Sequence, residues 1–368
     1  MRRFEYEKFK KALLRDLDFV PLMGTRLRRA QKQFVKLERA QIEALSAVTA
    51  NRHLLVSGPA GSGKTVLAKT LAQDWANEGK RVLLMCYNRT LANKLRYEFD
   101  RDEANIEVTT YHSLARRIIK AADPDWWGRQ KASESEDFWA LEVTAKMEEC
   151  LPFFQERYDA LVVDEGQDFK EFWYEMLFQL LHENGRRVIF LDEMQDIFGH
   201  YENMPEESAF TRFQLRVNCR NSKAIVRYLS QVVDQDIPSY EDSPEGTEVL
   251  VAPFDSPAAQ LRFLESEIKE LVRQDIQPSQ ILILLDGPKK ESCLCDVQSI
   301  GGQFLSYLDN KARFAQGTVH FSTIETFKGL ECDLVFVVSS SPDSGLDSRK
   351  RYTSASRARF KLYVLERS

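Results

Sequence analysis

The stretch HLLVSGPAGSGKTVLAKTLA, residues 53–72, constrains the fold of this chain more than any other. Apolar residues open it, glycines around a lysine follow, and a helical pattern closes it. Gly58, Gly63, Lys64 and Thr65 fit the pattern G-x-x-x-x-G-K-[ST], in which backbone N–H groups turn toward phosphate oxygens at the positive end of a helix. We therefore predict a strand, a phosphate-binding loop and a helix, a unit that belongs to parallel α/β sheets.

Short apolar runs rich in Val, Ile and Leu recur along the chain and alternate with helical patterns, which predicts parallel sheets covered by helices. The runs form two sets, separated by a polar stretch near residues 206–211. The predicted strands of the first set are His53–Ser57, Arg81–Cys86, Ile106–Thr110, Ala160–Asp164 and Arg187–Leu191. Those of the second set are Phe213–Val217, Thr247–Ala252, Ile281–Leu285, Thr318–Thr323, Asp333–Val338 and Lys361–Leu365. Two α/β halves are expected.

Composition limits the class of protein and of partner. The formal net charge of the 368 residues is -5, so a nucleic-acid site would have to be a local groove rather than a basic face. The six cysteines do not form a metal-binding set, and we expect reduced thiols. No apolar run has the length of a membrane span, and residues 1–17 have no apolar signal-peptide centre. A soluble, cytoplasmic protein is expected.

Residues 1–40 are charged, with apolar residues at three- and four-residue steps that predict an amphipathic helix. Such an arm could dock a partner or cover a core of this chain. Residues 122–137 and 235–246, which carry prolines and charges, are predicted to be loops or irregular insertions.

A carboxylate pair follows the apolar run that ends ALVV. Asp164 and Glu165 open the segment DEGQD at the predicted end of a strand beside the phosphate loop. At this position Asp164 can hold the shell of Mg²⁺, and Glu165 can orient or deprotonate a water for attack on a γ-phosphate. The phosphate-binding loop and the two carboxylates together predict nucleotide hydrolysis.

With these segments the chain resembles the superfamily 1 helicase-like ATPases of the UvrD/Rep type, in a minimal form. The segments that carry the resemblance are LERAQIEAL (37–45), CYNRTLANKL (86–95), TTYHSLA (109–115), DEGQD (164–168), FLDEMQDIFG (190–199), LRVNCRNSKAI (215–225), TIETFKGLECDLVFVV (323–338) and RYTSASRAR (351–359). The resemblance implies two RecA-like P-loop domains, 41–208 and 209–368, with ATP in the cleft between them. An N-terminal helical arm (1–40) and a small helical insertion (about 113–157) complete the expected organisation.

The resemblance also implies roles for individual residues. The implied catalytic residues are Lys64, Glu165, Gln195, Arg220 and Arg357, and Thr65 and Asp164 are the implied Mg²⁺ ligands. The implied ATP-binding set is Gln41, Gly58, Pro59, Ala60, Gly61, Ser62, Gly63, Lys64, Thr65, Val66 and Glu331. The implied contacts to single-stranded nucleic acid are Tyr87, Asn88, Arg89, Tyr111, His112, Phe198, Tyr201 and Thr323. Each of these aromatic residues could equally pack at the end of a strand.

The chain departs from the family pattern in three respects. Cys219 stands where a tyrosine usually stacks on adenine, and Glu325 stands where a histidine is frequent. The large accessory insertions are reduced, which suggests a bare motor. The loop with Trp126 and Trp127 could act as a wedge for duplex separation, or these tryptophans could pack a small helical cap.

Two functions from different classes remain open on this sequence. The first is an ATP-driven motor that translocates on single-stranded nucleic acid, with DNA expected, and with RNA as the strand and unwinding of a duplex both left open. The second is a regulatory ATPase switch that acts on a protein partner such as a nuclease. A small-molecule kinase built on the same cradle would not need a second half with Arg220 and Arg357.

Overall fold

The computed structural model describes residues 21–46, 51–99, 105–130, 138–192, 210–308, 314–340 and 346–367. Within the first range, the side chains at 40, 41 and 44–46 are outside the description. Within the described ranges no helix is long and apolar enough to cross a membrane.

The first sheet is built from six parallel strands in the order β3-β2-β4-β5-β1-β6. The strands are β1 (His53–Ser57), β2 (Val82–Cys86), β3 (Ile106–Thr109), β4 (Tyr158–Asp164), β5 (Leu181–Leu191) and β6 (Thr211–Gln214). Central strands such as β2 are buried along their whole length, as expected for a parallel sheet covered on both faces.

The second sheet has the order β7-β13-β12-β8-β11-β10-β9, and only the β9–β10 pair is antiparallel. The strands are β7 (Leu250–Phe254), β8 (Ile281–Leu285), β9 (Ser299–Ile300), β10 (Gln303–Tyr307), β11 (Thr318–Thr323), β12 (Cys332–Val338) and β13 (Ala358–Arg367). The predicted α/β class with two helix-covered parallel sheets is therefore confirmed.

Helices connect the strands and cover both sheets. They are α1 (Met23–Ser46), α2 (Lys64–Asn77), α3 (Arg89–Glu98), α4 (Tyr111–Ala122), α5 (Trp126–Arg129), α6 (Thr144–Cys150), α7 (Glu171–Phe178), α8 (Lys223–Val233), α9 (Pro257–Arg273) and α10 (Ser348–Ala355). A π-helical turn (Phe138–Val143) precedes α6, and 3-10 turns lie at Leu151–Phe153, Gly166–Asp168, Pro278–Gln280 and Lys289–Glu291. Side-chain caps start several helices, for example Thr110 at α4 and Asp347 at α10.

The core has three apolar layers. The central layer packs one face of each sheet together, with Leu54 of β1 and Leu284 of β8 in one cluster. The second layer covers the other face of the first sheet and contains α4 and the helical segments up to residue 154. The third covers the other face of the second sheet, where Leu27 and Phe34 of α1 pack with α9. The described part of the N-terminal region therefore covers a core of this chain; residues 1–20 lie outside the description.

Three differences from the sequence prediction concern strands and loops. The run Phe213–Val217 was predicted to open the second half, but Thr211–Gln214 pairs in parallel with β1 and closes the edge of the first sheet. Strands β9 and β10 were not predicted; β10 alternates half-buried and exposed residues, so it lacks a continuous apolar run. The predicted loop 122–137 contains the short helix α5. The proposed domain boundaries remain predictions.

Candidate functional site

The phosphate loop joins β1 to α2 at the carboxyl end of the first sheet. Gly61 and Gly63 have φ values of +75° and +88°, a left-handed conformation that favours glycine. A Cβ on Gly61 would also overlap the side chains of Asn218 and Asn221. The loop thus has the backbone turn and the helix N-terminus that a phosphate cradle requires.

Lys64 is buried at the first position of α2, with 6% of its side chain exposed. Its ammonium group donates to the carbonyl oxygens of Gly58 (2.7 Å) and Pro59 (2.8 Å) and lies 3.1 Å from Asp192 Oδ2. Asp192 follows β5 directly. The positive charge of Lys64 therefore lies inside the loop that is predicted to bind phosphate.

Asp164 and Glu165 lie at the carboxyl end of β4 and are both buried. Burial and the adjacent carboxylate of Glu165 raise the pKa of Asp164, whereas a hydrogen bond from Thr65 opposes this shift. Burial also disfavours ionisation of Glu165, but the charges of Lys328, Arg357 and Lys64 outweigh it and lower the pKa of that carboxyl group. The surrounding cations therefore favour the carboxylate form of Glu165, which is suited to accept a hydrogen bond from water.

Glu165 also has an unusual backbone, with φ of 54°. A non-glycine residue in this region costs of order 1–3 kcal/mol, and such strain clusters at functional sites. The side chain is fixed by Gln167, whose amide donates to Glu165 Oε2 over 2.6 Å.

The oxygen donors fit Mg²⁺, which prefers carboxylate, hydroxyl, water and phosphate oxygens. Asp164 Oδ2 is buried and has no hydrogen-bond partner, while Oδ1 accepts from the backbone N–H of Glu165. Thr65 supplies a hydroxyl beside it. Across the described ranges no group of three or more His, Cys, Asp or Glu residues could hold a metal ion on its own.

The second half contributes residues that precede neighbouring strands. Glu331 comes directly before β12 and Arg357 directly before β13, and these strands pair at Cys332 and Ala358. Arg357, 7% exposed, donates to the carbonyl oxygens of Thr353 (3.0 Å) and Leu330 (3.2 Å).

Arg220 belongs to a charge cluster at the same place. Its guanidinium lies 3.0 Å from Glu331 Oε1 and 3.6 Å from Glu38 Oε1 of α1. Arg359 reaches the same two carboxylates at 3.7 and 3.8 Å. Although burial opposes ionisation, Arg220 and Arg359 lower the pKa of Glu331 to about 2. Glu38 was not among the predicted site residues.

A cleft lies between the two walls. It is lined by Ala60, Gly61, Gly63, Lys64, Thr65, Glu165, Arg220, Gly329, Leu330, Glu331, Ser356 and Arg357. The first six come from the first half of the chain and the others from the second. The predicted catalytic residues Lys64, Glu165, Arg220 and Arg357 thus face one space.

Polar side chains fasten the phosphate loop to the second half. Asn218 donates to the carbonyl oxygen of Ala60 (2.9 Å), and the N–H of Ala60 donates to the hydroxyl of Tyr352 (2.8 Å). Asn221 donates to the carbonyl oxygens of Ser356 and Ala358 at 3.0 and 2.6 Å. Sequence reasoning did not find these residues, although Asn218 and Asn221 flank Arg220 and Tyr352 lies in the segment of Arg357.

Cys219, the residue in place of the expected tyrosine, lies against the loop. Its backbone N–H donates to the carbonyl oxygen of Gly61 over 2.9 Å, and its side chain is buried. This position therefore supplies contact to the phosphate loop rather than an aromatic face.

The predicted nucleic-acid contacts have diverse environments. Asn88 caps α3 through its side-chain oxygen and donates to the carbonyl oxygens of Glu325 (3.1 Å) and Thr326 (3.0 Å) across the two halves. Arg89 is exposed, and Thr323 is half-buried and bonds the Thr326 hydroxyl.

The aromatic candidates fall into two kinds. Tyr111 is 1% exposed and stacks on Trp173 with ring centroids 4.2 Å apart. It therefore packs in the core of the first half, and its contact to single-stranded nucleic acid stays a prediction. Tyr87 and His112 are half-buried at the surface of the same cluster.

The tryptophans of the loop pack a small helical cap. Trp126 is 8% exposed and stacks on Phe138, with an interplanar angle of 15°. Trp127 is half-buried and meets Trp126 edge-on. The capping alternative describes Trp126, and a wedge role for it is not supported.

Four predicted residues cannot be placed. Gln195, Phe198 and Tyr201 lie outside the described residues, and so does the side chain of Gln41. Their roles remain predictions.

Residues 36–196 match the sequence profile of the AAA domain family, which covers less than half of the chain. The solved structure of arterivirus nonstructural protein 10 (helicase) is similar at 15% identity with a TM-score of 0.41, over 91% of this chain and 62% of that one. A complex of arterivirus nonstructural protein 10 (helicase) with DNA gives 14% identity and a TM-score of 0.43, over 91% and 63%. The PRRSV helicase gives 14% and 0.44, over 88% and 54%.

The chain thus spans between about half and two thirds of the length of these structures. No curated protein sequence matches it. The matched segment includes the phosphate loop, Asp164 and Glu165.

Proposed function

We propose that this chain is a superfamily 1 helicase-like motor that hydrolyses ATP between its two halves and translocates on single-stranded nucleic acid, with DNA as the expected strand. The observation that carries the proposal is the cleft itself. Lys64, Thr65 and Glu165 line one wall, and Arg220 and Arg357 line the other. A single-lobed nucleotide site would not need the second wall.

The residues divide the chemistry as follows. The loop N–H groups and Lys64 bind the outer phosphates, because the helix N-terminus and the ammonium group both favour negative charge. Thr65 and Asp164 would hold Mg²⁺, which neutralises phosphate charge. Glu165 orients the attacking water and accepts its proton.

Arg357 and Arg220 act from across the cleft. In phosphoryl transfer, negative charge spreads over the γ-phosphoryl oxygens, and guanidinium groups stabilise that charge when they are correctly placed. Arg220 is held by Glu331 and Glu38, so it reaches a phosphate only by exchanging these carboxylates for phosphate oxygens. Hydrolysis thus depends on the closed arrangement of the halves.

Contacts next to the predicted nucleic-acid-binding residues would couple closure of the cleft to movement along the bound nucleic-acid strand. Asn88 binds the second half next to Tyr87 and Arg89. Opening of the cleft would break these bonds and move the two parts of the groove relative to each other. Alternating closure and opening while both parts hold a strand gives directed movement.

The test is the ATPase rate of the full chain without nucleic acid, with single-stranded DNA, with single-stranded RNA and with duplex DNA. Strong stimulation by a single strand, lost in Lys64→Ala, supports the motor. Stimulation below about twofold by every nucleic acid, with a normal basal rate, overturns it and favours the regulatory switch. Movement is then measured by displacement of streptavidin from a biotinylated strand.

A further inference from the structure

A surface of aromatic and basic side chains lies beside the residues that are predicted to contact single-stranded nucleic acid. We call this surface the platform, and it is formed by His112, Arg116, Trp127 and Trp139. The ring of His112 lies 4.3 Å from that of Trp139, and the rings of Trp127 and Trp139 are 5.7 Å apart. The guanidinium of Arg116 lies over both tryptophans, 4.8 Å from Trp127 and 5.5 Å from Trp139.

The platform is open to solvent but rests on a fixed base. Arg116 is exposed, and the three rings are half-buried. Beneath His112, Trp173 is buried and stacks on Tyr111. Aromatic rings supported in this way keep their positions, so little conformational entropy is lost when a flat ligand stacks on them.

Three cations lie in or beside the platform. Burial is the main reason why the pKa of His112 is lowered to about 4, and the next three causes are the cations Arg89, Arg116 and Lys170. Neither arginine forms an ion pair with a carboxylate among the described residues. In a chain with a net charge of -5, such a local cluster of cations favours an anionic ligand.

A ligand that offers flat rings and regularly spaced negative charge matches both properties. Bases of single strands stack on aromatic side chains, and their phosphates are neutralised by nearby Lys and Arg. An acidic peptide offers the charge without the rings. The platform also adjoins Arg89, which is predicted from the sequence to contact single-stranded nucleic acid.

We propose that the platform binds single-stranded nucleic acid, with a base stacked on Trp139 and phosphates neutralised by Arg116, Arg89 and Lys170. The strand path then continues from the first sheet onto the helical segment between β3 and β4. This inference rests on the proposed motor function and adds to it a binding surface on the helical segment between β3 and β4.

The experiment measures binding of a fluorescein-labelled single-stranded oligonucleotide to the full chain by anisotropy, over a range of salt concentrations. Trp139→Ala is expected to weaken binding about 5- to 150-fold, the range for loss of one stacked base. Arg116→Gln is expected to weaken binding and to reduce the salt slope by about one. Both variants should keep the basal ATPase rate, because neither residue touches the cleft.

Matched controls are Phe153→Ala, which removes an aromatic ring that is 72% exposed, and Arg129→Gln, which removes an exposed basic residue already paired with Asp123. Both should bind the oligonucleotide as the wild type does. An oligonucleotide made of abasic sites separates base stacking from neutralisation of the phosphates. Its binding should depend on Arg116 but not on Trp139.

Wild-type affinity of Trp139→Ala and Arg116→Gln, with stimulated ATPase intact, would overturn the platform and leave the motor standing. Equal displacement of the oligonucleotide by polyglutamate at the same charge would assign the surface to an acidic protein instead. Failure of the wild type to bind or respond to any strand would remove the motor and the platform together. If Trp139→Ala fails to fold, Arg116→Gln decides, since its side chain is exposed.

Discussion

The ammonium group of Lys328 lies 2.6 Å from Asp168 Oδ1, and this ion pair joins the second half of the chain to the first in a fully buried position. Asp168 ends the segment DEGQD, and Lys328 lies in the loop between β11 and β12. The side chains are 1% and 3% exposed. The pair therefore holds the segment of Asp164 and Glu165 against the opposite wall of the cleft.

Replacing Lys328 with Met should destabilise the chain by about 3–5 kcal/mol, because the Asp168 carboxylate loses its buried partner charge. Urea unfolding measures the change. The surface pair Arg28–Asp275 is the control; with side chains 57% and 45% exposed, Arg28→Gln should cost less than about 1 kcal/mol. An equally small loss of unfolding free energy in both variants would show that the buried ion pair stabilises the chain no more than the surface pair does.

Replacing Glu165 with Gln should reduce ATP hydrolysis at least about 100-fold while nucleotide binding remains, because the amide cannot take a proton from water. Single-turnover hydrolysis and binding of a fluorescent ATP analogue are measured together. Glu175→Gln, an exposed change on α7, is the matched control. Turnover by Glu165→Gln at the wild-type rate would refute the assigned role.

Replacing Arg357 with Ala should lower the rate of hydrolysis by about 100- to 1,000-fold, since a donor that stabilises the transition state is lost. Lys64→Ala should abolish hydrolysis and also weaken binding of the nucleotide, because Lys64 contacts the phosphates in both states. The neighbouring exposed change Arg349→Ala should leave both quantities unaltered. Normal hydrolysis by Arg357→Ala would mean that the second wall takes no part.

Replacing Gly61 with Ala should destabilise the chain more than the same change at Gly79. Both glycines have positive φ, +75° and +81°, which costs an L-residue about 1–2 kcal/mol. Only at Gly61 would the new Cβ overlap Asn218 and Asn221, whereas at Gly79 it meets nothing within 4 Å. Thermal unfolding of the two variants thus separates backbone strain from steric overlap, and equal shifts would contradict the tight contact at the loop.

Folding stability should fall as the pH is lowered from about 6.5 to about 4, and His112→Gln should reduce this fall. Burial and three cations lower the pKa of His112 to about 4, so in this window the unfolded chain binds a proton that the folded chain does not. The effect is of order 3 kcal/mol, at about 1.4 kcal/mol per pKa unit. Identical pH profiles of wild type and variant in urea unfolding would contradict the neutral state of the half-buried His112.

Strands with continuous apolar runs could be predicted from the sequence, because burial on both faces leaves a local pattern. β1 and β8 have the predicted bounds, and β4 differs only by two residues at its start. The sheet to which a strand belongs could not be predicted from such local patterns. The run at 213–217 has a strand pattern, but whether it joins the first or the second sheet depends on which edge is available, and this is not encoded locally.

Side chains that act through distant partners were also missed. Asn218 and Tyr352 bind the phosphate loop from positions 158 and 292 residues away in the chain, and an amide or a phenol alone carries no pattern that shows this. Tyr111 illustrates a second ambiguity. A tyrosine at a strand end looks the same in sequence whether it stacks on a base or on Trp173, and only the packing separates the two.

The position of β6 determines where the first half can be separated from the rest of the chain. A fragment that stops at residue 208 would lack Thr211–Gln214 and would leave the hydrogen-bonding edge of β1 uncovered. An apolar edge strand of this kind recruits strands from other molecules and leads to aggregation. Recombinant fragments meant for crystallisation or inhibitor screening should therefore extend at least to Gln214.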